Sequence, residues 1–165
     1  MRKSLVTFAA TCGLAALAAV PPSVAHAAGS VEVSYIKPQQ FADAGLGQFD
    51  RDRNLETLEQ VFRKLAAKLP DGQTLKLQIT DVDLAGNLEF RGARPDLRVV
   101  RGGADWPQID LTYSVLQDGR VLKSGQAHLS DPAYTFGLRS IRSDERMYFE
   151  RRMVDDWFTK TFKEQ

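Results

Sequence analysis

A chain of 165 residues has room for one domain with appendages, and its 43% hydrophobic and 26% charged content fits a folded globular body rather than a disordered one. With 22 basic against 21 acidic side chains, the net charge of +1 excludes the extended single-sign field of sequence-independent nucleic-acid binding, so no nucleic-acid partner is expected.

Residues 1–27 read as a secretory signal. Arg2 and Lys3 precede an apolar stretch over residues 5–20, and Ala25-His26-Ala27 supplies a small-x-small cleavage site. The stretch is short for a bilayer span and runs into Pro21-Pro22, so cleavage after Ala27 is expected, with a retained anchor as the alternative. Cys12 follows Thr11 inside the apolar run, where a lipoprotein would place a small Gly or Ala, so lipidation is not expected. Cleavage removes the single cysteine and His26, leaving residues 28–165 as one domain whose only imidazole is His128. Disulfides, thiolate nucleophiles and Cys/His zinc sites are then excluded, and no membrane span remains.

Along this domain, Val31, Val33 and Tyr35 alternate with polar residues and predict a first strand ending at Lys37-Pro38. Residues 39–53, with Gly45 and Gly47, read as a loop. Gly45-Leu46-Gly47 is only a fragment of a dinucleotide fingerprint, and no cofactor is expected. Asn54 is placed to cap a helix over 55–69, whose Leu55, Leu58, Val61, Phe62, Leu65 and Leu69 fall within an arc of about 140°. Glu59 and Arg63 are spaced as an exposed i,i+4 pair, and Pro70-Asp71-Gly72 stops the helix.

Leu75, Leu77 and Ile79 predict a second strand whose apolar phase slips at Asp81, which implies a bulge or the strand's end and puts Asp81 and Asp83 on a common side. Within 87–107 only residues 97–100 suggest a strand. Ile109, Leu111, Tyr113 and Val115 open a hairpin with residues 120–130. A three-residue loop sets Ile109 against Ala127, Leu111 against Gly125 and Lys123 against Tyr113, with Gly119 in the left-handed position. Ser143, followed by Asp144 and Glu145, is placed to cap a last helix through about residue 162. Its apolar positions spread over about 220°, interrupted by Glu150 and Lys160, so it is either wedged between two surfaces of its own domain, the favoured reading, or keeps an aromatic edge for a partner. The order predicts an α+β fold: a largely antiparallel sheet of four to five strands with two helices on one face.

Four segments lie in order along most of the domain: Asp81-Val82-Asp83-Leu84-Ala85-Gly86, Asp105-Trp106-Pro107 leading into Ile109, Leu129-Ser130-Asp131, and Arg152-Met153-Val154-Asp155-Asp156-Trp157-Phe158. Together they resemble the bacterial envelope family catalogued as domain of unknown function 3016. Asn87, Val154 and Pro132-Ala133-Tyr134 depart from the family's usual residues. The resemblance implies export to the periplasm of a Gram-negative cell and assigns no reaction.

Asp81 and Asp83 could converge on a divalent cation, which takes six to eight oxygen ligands; the plainer alternative has Asp81 accept backbone N–H bonds and Asp83 pair with an arginine. Arg98, Arg101, Arg151 and Arg152 could grip an anion or pair internally with neighbours such as Asp155 and Asp156. Asp105 and Asp110 could add to the acidic cluster, and Trp106 and Trp157 could stack on a ligand or pack in the core. His128, with Ser124 and Ser130 on its strand and Gln108 opposite, reads as a solvated strand histidine in the absence of a nucleophile elbow. The expectation is a non-enzymatic binding or assembly module for an envelope protein or small ligand. A metal-dependent binder using Asp81 and Asp83, and a hydrolase with an unrecognised site, are the alternatives.

Overall fold

The computed structural model describes residues 28–91, 94–136 and 146–162. The leader, and the helix cap assigned to Ser143, Asp144 and Glu145, lie outside them. In chain order come β1 (Ser30–Tyr35), a short 3-10 turn (Pro38–Gln40), α1 (Gly47–Ala66), β2 (Gln73–Asp83), β3 (Asn87–Arg91), β4 (Arg94–Val99), β5 (Gln108–Gln117), β6 (Arg120–Ser130) and α2 (Tyr148–Phe162). The main sheet runs β1-β2-β5-β6, and β3 and β4 form a separate hairpin. The fold is α+β. Because α1 carries the chain back to the start of the sheet, β1 and β2 pair in parallel, so the sheet is mixed, with antiparallel pairing elsewhere. No helix among the described residues is long and apolar enough to cross a membrane.

Alternation decides the layers. Leu75, Leu77 and Ile79 of β2 and Ile109, Leu111 and Val115 of β5 point to one face and are buried, against Leu58, Phe62 and Leu65 of α1 and Met153, Val154 and Phe158 of α2. The opposite face is polar across its middle. Across the four strands run the rows Glu32, Lys76, Ser114, Ser124 and Ser34, Gln78, Thr112, Gln126. Lys76 pairs with Glu32 at 2.8 Å, and on β5 and β6 Asp110 pairs with His128 at 2.7 Å. The register of β2 against β5 shifts between Ile79 and Asp81, the bulge that the slipped phase implies.

Three sequence expectations are corrected. The first helix begins at Gly47, not after Asn54: its early turns are polar and leave Phe49 81% exposed, so no apolar stripe marks them. Asn54 lies buried inside the helix and donates to the Ala44 carbonyl at 3.0 Å. The hairpin turns on two residues, with Gln117 opposite Arg120 and both Asp118 (φ 51) and Gly119 (φ 77) left-handed. An irregularity beyond the turn then sets Ile109 against Leu129, Leu111 against Ala127 and Val115 against Lys123, a register that keeps the expected faces but moves two residues along. Gly125 therefore meets Tyr113, where a Cβ would come within 2.9 Å of the phenol oxygen, and Lys123 reaches the Thr161 carbonyl at the end of α2 (2.7 Å). Finally, Arg146 and Met147 form a turn, Met147 with φ 57, and the helix opens at Tyr148.

The breadth of the last helix's apolar face has a plain cause. Met153, Val154 and Phe158 enter the main core, whereas Phe149 packs with Ala85 and Tyr134 in a second cluster flanked by Trp106 and Tyr148. The helix is wedged within its own domain.

Candidate functional site

A cleft of about 790 Å³ opens between the start of α1, the β3–β4 hairpin and the start of α2. Its floor is built where β2 ends. The Asp43 N–H bonds the Val82 carbonyl (3.0 Å) and the Leu84 N–H bonds the Asp43 carbonyl (2.9 Å), which brings the segment before α1 alongside β2. Gly86, at φ 80, then turns the chain into β3. Leu84, Leu88, Val100 and Phe149 give apolar walls, and Leu46 and Phe49 stand exposed at the rim.

Two charged residues meet at this floor. Glu150, 3% exposed, accepts the Ala85 N–H at 2.8 Å. Burial pushes its carboxyl above the usual range; the Ala85 bond and the Arg98 charge recover only part of that shift. Arg98 donates to the Asp43 carboxylate at 2.9 Å and to the carbonyls of Leu84 (3.4 Å), Ala85 (3.4 Å) and Gly86 (2.9 Å). One guanidinium thus ties the hairpin to the end of β2 and to the segment before α1.

Because Glu150 titrates upward on folding, its contribution to stability is complete below the unfolded pKa of about 4.3 and is lost as pH rises through the folded value. Glu150→Gln keeps an oxygen for the Ala85 N–H and removes the titration. Its melting temperature relative to the parent chain is therefore expected to climb as pH rises above about 4. A difference that stays flat over that rise would show that the carboxyl carries no burial penalty.

Beside the cleft, Asp105 anchors the loop before β5. Its carboxylate accepts the Tyr134 hydroxyl (2.6 Å) and the N–H groups of Arg101 (2.9 Å) and Gly103 (2.9 Å), and its carbonyl accepts the Gly86 N–H (2.8 Å). Burial raises the carboxyl, but these bonds outweigh it and hold the group below the ordinary carboxylate range. Tyr134 is pushed up to about 12, by burial first and then by its bond to Asp105.

The other sequence candidates separate. Asp81 accepts the Ala42 N–H at 2.8 Å. Asp83 is held up by burial, then by the Asp43 and Asp81 charges, with the Arg98 charge opposing them; of the arginines in 91–101 expected as its partner, Arg98 pairs with Asp43. No group of three His, Cys, Asp or Glu among the described residues is arranged to hold a metal ion. Arg101 pairs with Glu89, and Arg152 with Asp131 (2.5 Å) and the Tyr134 carbonyl (3.0 Å), while Arg151 and Arg152 line a second, smaller cavity with Lys64 and Lys68. Asp155 pairs with Lys68, and Asp156 is exposed. Trp157 lies two turns from the cleft, edge-on to Phe62, Tyr113 and Phe162. Trp106 flanks the second cluster. His128 lies on the open sheet face opposite Asp110, not Gln108, through the shifted hairpin register.

Sequence reasoning missed Glu150, Asp43 and Tyr134. For Glu150 the signal was present: a carboxylate between Phe149 and Met153 interrupts the apolar face of a helix, where only a partnered charge is stable.

The architecture and the cleft define a small α+β protein with a concave pocket at one end. Residues 29–160 match the family described as protein of unknown function (DUF3016), and the chain belongs to that family. No curated protein and no solved structure matches it.

Proposed function

We propose that the protein is an exported binding module of the Gram-negative periplasm, not an enzyme, and that its ligand seats in the cleft. Export is supported by the charged start, apolar run and Ala25-His26-Ala27 site of residues 1–27. Binding is supported above all by the rim: Phe49 is 81% exposed, beside Leu46 at 41% and Val100 at 37%, so large apolar side chains stay uncovered around a concave surface. The two carboxylates of the lining are engaged within the fold, Asp50 by the Leu46 N–H and Glu150 by the Ala85 N–H, which favours binding over nucleophilic catalysis.

The protein taken from periplasmic extract of cells expressing the full chain, expected to begin at Ala28, is the material for the test. A neutral solvatochromic dye should bind it at one saturable site. Phe49→Asp should weaken that binding about tenfold, whereas Val121→Asp, on the exposed β6 end, should leave it unchanged. Equal binding by both variants would overturn the assignment of the cleft.

A further inference from the structure

We propose that the cleft takes a single-chain amphiphile with an anionic head: a free carboxylate at the end of an unbranched acyl chain. This rests on the reading of the cleft as the binding site and names the chemistry of its ligand.

The head-group preference comes from charge at the rim. Arg53 and Arg146 approach one carboxylate, Asp50, at 3.4 and 3.8 Å. That carboxylate is also engaged by the Leu46 N–H at 3.0 Å, at the start of α1. Arg146 further donates to Asn54 (2.9 Å), and Arg53 lies over the Phe49 ring at 5.8 Å. Their side chains are 44% and 50% exposed. Two guanidinium groups thus share one anion, with N–H donors facing solvent at the mouth of the cleft. A second carboxylate completes the balance through charge-assisted bonds.

The tail preference comes from the backbone. A bound peptide needs partners for its own N–H and C=O groups. At the floor the Ala85 N–H is taken by Glu150, and Arg98 lies against the carbonyls, closest to Gly86 at 2.9 Å, which leaves little backbone for a peptide to pair with. The walls then offer the side chains of Leu84, Leu88, Val100 and Phe149. A methylene chain needs nothing else.

Dodecanoate, dodecanol and dodecylamine, below their micelle concentrations, separate the possibilities by displacement of the neutral dye. Dodecanoate is expected to bind about tenfold tighter than dodecanol, with dodecylamine weakest. In the Arg53→Gln/Arg146→Gln variant dodecanoate should fall to the level of the alcohol; Arg53→Gln alone, at a half-exposed side chain, should show part of that fall. Equal affinity for all three on the parent chain, with the dye displaced, would overturn the anionic head while leaving the cleft as a binding site. Failure of every chain to displace a bound dye would overturn the amphiphile with the cleft again intact. A dye insensitive to Phe49→Asp would instead remove the cleft reading itself.

Discussion

Asp105→Asn is expected to destabilise the domain by about 3 kcal/mol near neutral pH, although the side chain keeps its shape. The carboxylate accepts three hydrogen bonds, from the Tyr134 hydroxyl and from the N–H groups of Arg101 and Gly103, at both of its oxygens. An amide turns one of those oxygens into a donor, so at least one buried donor then faces another. The Tyr134 ring, fully buried against Phe149, has little room to withdraw its hydroxyl. The pH dependence gives an independent check. A carboxyl held low by its native bonds contributes stability that is fully present above its unfolded pKa of about 3.9 and disappears as pH falls through the folded value. The gap between parent and variant, measured by urea unfolding, should therefore be widest above about pH 5 and narrow as the solution is acidified below about pH 4. A gap independent of pH would mean that the carboxylate is not the source of the effect.

Gly86→Val is expected to cost about 3 kcal/mol or more through two separate effects. Its φ of 80 lies in the region a β-branched residue avoids, and a Cβ there would stand 2.6 Å from the Val99 carbonyl oxygen. That neighbour is backbone, and it belongs to the residue that pairs with Asn87 at the mouth of the hairpin. Relief requires β4 to move away from the end of β2, which pulls Arg98 from the carbonyls it bridges. Thermal melting should show the stability loss, and dye binding should weaken in the fraction that remains folded. A variant with parental stability would show that the hairpin yields freely.

Periodicity carried most of the architecture. The alternation of β1, β2 and β5, the bulge before Asp81 and the buried stripe of α1 all follow from side chains that must face one core. What periodicity could not carry was set by polar chemistry. The first turns of α1 are held by Asp50 reaching back to the Leu46 N–H and by Asn54 bonding Ala44, neither of which leaves an apolar trace. The hairpin register turned on how a two-residue Asp-Gly turn is followed by an irregularity, a local backbone choice that the face pattern does not distinguish. β3 is short and pairs only with β4, apart from the main sheet whose common core sets the alternation of the other strands. The candidate site suffered most, because it is assembled from segments distant in the chain: Asp43 before α1, Arg98 on β4 and Glu150 on α2 meet only through tertiary structure.

The bare side of the sheet has a consequence for how the molecule meets its surroundings. Lys76 is neutralised by Glu32 and Asp110 faces His128, while the remaining members of the two central rows are hydroxyls and amides. These central rows project little field at long range and offer no oily area for another molecule to dehydrate, so in a crowded compartment they form a passive flank. On the binding reading proposed above, lasting encounters fall instead at the cleft, where Arg53, Arg146 and the exposed Phe49 ring are found.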